Sequence, residues 1–164
     1  MRRYLDFLTD AYLLRQLQPW FENIGKRQIK APKVYVRDSG LLHALLAIGS
    51  NTELESHPKR GASWEGFALE QTLSLVGSRD AYSWGTHAGA ELDLLLLRRG
   101  LRYGVEFKLA AAPTMTRSLH VALADLGLER AWIVHPGPGS YPVHRQVDVV
   151  AITDLPQRLS FLAG

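Results

Sequence analysis

The chain contains no cysteine, which excludes disulfides, thiolate zinc sites and a cysteine nucleophile. No apolar run approaches the roughly 20 residues that a membrane helix needs. Met1-Arg2-Arg3 leads into Tyr4, Leu5 and Asp6 rather than into an apolar signal core. The expectation is a soluble, cytoplasmic protein with no membrane contact. No G-x-x-x-x-G-K-[ST] phosphate loop occurs, so no nucleotide site is expected in this chain. No G-x-S-x-G elbow is present for a serine hydrolase. His43, His57, His87, His120, His135 and His144 show no H-E-x-x-H or similar spacing, which argues against a histidine metal site.

What is present is an ordinary globular composition: 164 residues, 46% apolar and 21% charged, enough for one domain with a real core. The net charge of +3 is unevenly spread. Residues 1–40 hold eight Lys/Arg against four Asp/Glu, residues 41–97 three against seven, and the remainder eight against five. Basic ends around an acidic middle suit a phosphate-rich partner, although a mixed solvated surface explains the same counts.

Apolar spacing predicts a helix over residues 3–18, limited by Pro19. A hairpin is expected from about 14 to 37, with its turn near Asn23 to Lys26 and its second strand reaching Val34-Tyr35-Val36. Lys26, Arg27, Lys30, Lys33 and Arg37 place five positive charges in twelve residues without an acid. Lys26, Arg27, Lys30 and Lys33 are therefore candidate nucleic-acid contacts; lysines that keep an exposed edge soluble are the structural alternative. Asp38 or Ser39 caps a short helix. Residues 49–62 read as a loop. Helix 63–77 is capped by Ser63 and stopped by Gly77. On it Glu65 falls in line with Leu69, Thr72, Leu73 and Val76, whereas Glu70 and Ser74 lie on the solvent side. Strands follow near 81–84 and in the two halves of 90–108. Thr114 or Thr116 then opens a helix ending at Gly127. A strand A-W-I-V-H, a Pro/Gly loop, strand 147–152 and a last helix with Pro156 in its first turn complete the chain. From residue 63 the order is α-β-β-β-α-β-β-α, an α/β domain with a mixed sheet flanked by helices.

The stretch A-E-L-D-L-L-L-L-R-R-G-L-R-Y-G-V-E-F-K, residues 90–108, puts charge where strands should be apolar. Strand alternation sends Glu91 and Asp93 one way, Leu92, Leu94 and Leu96 the other, and likewise pairs Glu106 with Lys108. Carboxylates sharing a poorly hydrated volume need a positive partner. A divalent cation beside Lys108 would supply it, and a metal-free cluster with Lys108 paired to Glu106 or Asp93 would also supply it.

W-E-G-F, E-L-D-L and E-F-K resemble the PD-(D/E)xK superfamily, the restriction-endonuclease-like fold, whose core is α-β-β-β-α-β. P-K-V-Y-V-R-D-S-G-L, G-A-S-W-E-G-F-A-L-E-Q, G-A-E-L-D-L-L-L and Y-G-V-E-F-K are similar to the C-terminal domain, of no assigned function, of a prokaryotic family of AAA+-type ATPases. The resemblance implies three parts. Residues 1–48 would be a helix, basic hairpin and short helix like a winged-helix remnant, 49–62 a loop, and 63–164 the nuclease-like domain. It implies that Asp93, Glu106 and the carbonyl of Phe107 bind Mg²⁺ or Mn²⁺, and that Glu65 adds a ligand or orients water. Lys108 would then activate water at a DNA phosphodiester, and an ATPase module would accompany the domain in a longer protein. The alternative is a non-catalytic module that binds DNA or a protein partner.

Overall fold

The computed structural model describes residues 2–21 and 28–163. Helix α1 (Arg2–Asp10) stops well before Pro19, because Tyr12 takes a left-handed φ of 60° and turns the chain into strand β1 (Leu14–Leu17). Strand β2 (Lys33–Val36) pairs antiparallel with β1 from Leu14↔Val36 to Leu17↔Lys33, as expected for the hairpin. Its expected turn, with Lys26 and Arg27, lies outside the described residues. Helix α2 (Ser39–Leu45) starts where Asp38 accepts the Leu41 N–H at 2.6 Å. The stretch expected as loop contains helix α3 (Asn51–Ser56), whose N-cap Ser50 accepts the Glu53 N–H. The sequence reading overlooked that S-x-x-E cap.

Helix α4 (Arg60–Val76) begins a turn earlier than predicted. Ser63 is thus inside it and meets His43 Nε2 at 2.7 Å instead of capping. Gly77 ends the helix at φ 82°, a conformation that glycine adopts without strain. Strands β3 (Ala81–Gly85), β4 (Glu91–Arg98) and β5 (Leu101–Phe107) follow, then α5 (Arg117–Leu126) with Thr116 as N-cap. Strand β6 (Arg130–His135) precedes β7 (Tyr141–His144), which forms where the sequence suggested a plain loop. Strand β8 (Val147–Ala151), a 3₁₀ turn and α6 (Leu155–Leu159) complete the domain. The sheet order is β3-β4-β5-β6-β8-β7, with β5-β6 and β6-β8 parallel and the other pairs antiparallel.

Helices cover both faces of this mixed sheet. On one, Ala68, Leu69, Leu73 and Val76 of α4 and Leu155 and Leu159 of α6 pack on Leu94, Leu96, Val105, Phe107 and Val134. On the other, Leu119, Ala122 and Leu126 of α5 pack on Leu92, Leu95, Ile133 and Val149. Leu92 thus parts from Leu94 and Leu96, against strict alternation. A register shift is the reason: Tyr82 pairs with Leu95 but Trp84 with Leu92, so β4 spends three residues where β3 spends two.

The N-terminal elements cover the β3 edge. Trp20 N donates to Ser83 O at 2.7 Å and Ile29 N to Gly85 O at 2.9 Å, which removes an edge open to pairing. They also cover the side of α4 expected to face solvent. Glu70 accepts hydrogen bonds from both Arg15 and Arg37 and is only 13% exposed. Burial would raise its pKa, but the bonds and charges of the two guanidinium groups outweigh burial and hold it below the ordinary value. Its stabilising contribution is therefore present above the ordinary carboxylate pKa and is lost as pH falls through the depressed folded value. Glu70→Ala is expected to cost about 2 kcal/mol at neutral pH in urea unfolding, with a smaller difference from wild type at pH 3.

Candidate functional site

The site lies where β4 and β5 part. Their pairing runs from Arg98↔Leu101 up to Leu94↔Val105. Beyond it, β5 keeps its parallel pairing to β6 through Phe107↔Val134, and Lys108 N donates to Val134 O at 2.9 Å. The extra residue in β4 sits at this fork, so Asp93 turns its carboxylate to β5 and Oδ2 accepts the Phe107 N–H at 3.0 Å. A side chain thereby satisfies a main-chain donor.

Two ion-paired groups assemble around the fork. On the α4 side, Lys33 Nζ lies 2.8 Å from Asp93 Oδ1 and 3.2 Å from Glu65 Oε1. Tyr35 donates its hydroxyl to the same Glu65 oxygen at 2.6 Å. On the α5 side, Lys108 Nζ lies 2.7 Å from Glu106 Oε1. The Thr116 hydroxyl donates to Glu106, 3.0 Å from Oε2, while accepting the Leu119 N–H that it caps. Glu106 is 4% exposed, so both its partners act where water screens little.

Burial alone would lower the pKa of Lys33, but the charges of Asp93 and Glu65 prevail and raise it. Burial likewise opposes the charge on Lys108, and Glu106, then Asp93 and Glu65, raise its pKa overall. The four predicted residues Glu65, Asp93, Glu106 and Lys108 thus come to one end of the sheet, where Lys108 feels the charge of all three acids. Both ammonium groups offer positive charge rather than a proton acceptor at neutral pH. Burial, then the charge and hydrogen bond of Glu65, push the Tyr35 hydroxyl up and keep it a donor.

The acids do not form a single cage. Glu65 approaches from α4, and Glu106 faces α5, as alternation from Phe107 in the opposite core requires. Among the described residues, no three His, Asp or Glu side chains gather so as to hold a metal ion. As arranged, the donor set offers hard oxygens of the right chemistry, yet an ammonium already occupies the space between Glu65 and Asp93. The residues present do not fit a three-carboxylate metal centre. Phe107 contributes its amide to the site through Asp93. Glu91 is exposed at the start of β4.

Sequence reasoning missed Lys33 as a member of this site, having placed it with Lys26, Arg27 and Lys30 on a nucleic-acid surface; Lys30 is exposed. It also missed Tyr35. A signal was available in P-K-V-Y-V, where Lys33 and Tyr35 share a face and Val34 takes the other; Val34 is 44% exposed.

Fold and site together define a mixed α/β domain built around a lysine-paired carboxylate centre. Residues 60–155, more than half of the chain, match the family model described as a domain of unknown function (DUF4143), and the chain belongs to that family. Residues 1–52 match a second one, a domain of unknown function (DUF8612). The chain is also similar to two mycobacterial proteins, Uncharacterized protein Mb2031c of Mycobacterium bovis and Uncharacterized protein Rv2008c of Mycobacterium tuberculosis. Each is 52% identical over 149 residues, which is 91% of this chain and 34% of the relative. The chain therefore spans about a third of the length of these relatives. No helix among the described residues is long and apolar enough to cross a membrane.

The centre is composite. Lys33 and Tyr35 lie within the first matched span, and Glu65, Asp93, Glu106 and Lys108 within the second. Lys33→Met and Asp93→Asn are each expected to lower stability by about 1–2 kcal/mol. Their double mutant should lose less than the sum, with a coupling of about 1 kcal/mol in a urea-unfolding cycle. Strict additivity would show that the pair contributes nothing.

Proposed function

We propose that the chain is a nuclease-like accessory domain of a longer, ATPase-containing protein, with an acid centre that is ion-paired to the chain's own lysines and does not cut. The observation behind this reading is the Lys33 ammonium between Glu65 and Asp93, with Lys108 on Glu106. Every acid of the expected catalytic set already contacts a protein cation, Glu65 and Asp93 sharing Lys33. The nuclease-like descent is supported by the element order α4-β3-β4-β5-α5-β6 and by the convergence of Glu65, Asp93, Glu106 and Lys108 at the β4–β5 fork.

The partner that suits the surface is a protein, the ATPase module implied by the resemblance. Tyr4 and Phe7, one turn apart on α1, are 77% and 68% exposed, and Tyr12 and Leu45 are exposed on the same N-terminal elements. Aromatic side chains left in water together favour protein contact. DNA is less well served, because Lys33 is engaged with acids.

The second reading is metal-dependent phosphodiester hydrolysis with Mg²⁺ or Mn²⁺, and the convergence of all four residues favours it. Incubation of the purified chain with plasmid and single-stranded DNA, in Mg²⁺ and then Mn²⁺, separates the two. No cleavage beyond that of Asp93→Ala is expected. Metal-dependent cutting that disappears in both Asp93→Ala and Lys108→Ala would replace the first reading with the second.

A further inference from the structure

We infer that Lys33 is the resident counter-ion of the acid centre, standing between Glu65 and Asp93, two of the acids to which the nuclease resemblance would bring a divalent cation. The inference deepens the non-cutting reading and rests on it. Three observations bear on it. The ammonium is within hydrogen-bond distance of one oxygen of each acid, 2.8 Å from Asp93 and 3.2 Å from Glu65. The segment that delivers it is fixed on both sides of Lys33. Upstream, Ile29 N donates to Gly85 O and Gln28 bridges to Thr86; downstream, β2 pairs with β1 and Arg37 binds Glu70. Finally, Tyr35, two residues on, donates to the Glu65 oxygen that Lys33 also contacts, so the strand presents a cation and a donor to the same carboxylate.

A divalent cation held by Glu65 and Asp93 would lie against this ammonium, and like charges at such range repel strongly where water is scarce. Lysine and metal are therefore alternative occupants. The lysine has the advantage of being tethered, since a fixed chain supplies it at high effective concentration. The first matched span thereby completes the second, supplying the counter-ion of its acids.

The test titrates Mn²⁺ into the wild-type chain, Lys33→Gln and the double variant Lys33→Gln/Asp93→Asn, reading free Mn²⁺ by electron paramagnetic resonance. The single variant is expected to bind Mn²⁺ at least about tenfold more tightly than wild type, and the double variant to lose the gain. Wild type that binds as tightly as Lys33→Gln overturns the inference, as does a gain that survives loss of the Asp93 charge. Lys33→Met, which keeps the apolar stem, substitutes if the Gln variant gives no cooperative melt. If neither variant folds, the wild type decides: a melting temperature raised by Mn²⁺ in wild type but not in Asp93→Asn overturns the inference, and an unmoved one upholds it. Cleavage is not scored here. A wild-type domain that binds Mn²⁺ and cuts nothing would sink the counter-ion role while leaving the non-cutting reading intact.

Discussion

An ammonium between two carboxylates organises this molecule. Glu65 reaches in from α4 and Asp93 from the irregular part of β4, and the two side chains meet at the end of the sheet. Without a positive group there, like charges would face each other across a half-buried gap. Lys33 closes that gap with hydrogen bonds to both. Because Lys33 belongs to the N-terminal hairpin, the same contact ties that hairpin to the α/β domain. Glu70, gripped by Arg15 and Arg37, makes a second tie on the next turns of α4. Charge pairing rather than apolar area alone thus positions the N-terminal elements.

The space for this arrangement comes from the sheet. An antiparallel partner on one side of β5 and a parallel partner on the other let the neighbours diverge at its end, and the extra residue in β4 turns Asp93 into the opening. The fork also explains why the acids fall into two groups. Phe107 is committed to the α4-side core, so Glu106 before it faces α5 and finds Lys108 and Thr116. Three carboxylates and two ammonium groups then share one end of the sheet, close enough to raise both lysine pKa values but apart enough that no three acids converge.

Much of this was legible in the residues. The inward face of Glu65 followed from its alignment with Leu69, Thr72, Leu73 and Val76, all buried. Gly77 and Gly127 marked helix ends, and charge inside the apolar strands at Asp93 and Glu106 marked the site. What stayed hidden depended on long-range contacts. Glu70 reads as solvent-facing until the hairpin is laid over it. Leu92 reads as a neighbour of Leu94 until a pairing shift with β3 reverses its face. Strand β7 has an irregular pairing to β8 at Pro142/His144, and its Pro and Gly surroundings imitate a loop. Lys33 was read by its charge run, whereas its role is set by the acids across the gap.

The central claim is that Lys33, not a metal ion, is the counter-ion of Glu65 and Asp93 in the folded chain. A crystal structure from Mn²⁺-containing solution, with anomalous scattering recorded, addresses it directly. The account predicts Lys33 Nζ in hydrogen-bond contact with both acids and no anomalous peak between them. A manganese peak bonded to Asp93, with the lysine turned out to solvent, would contradict it.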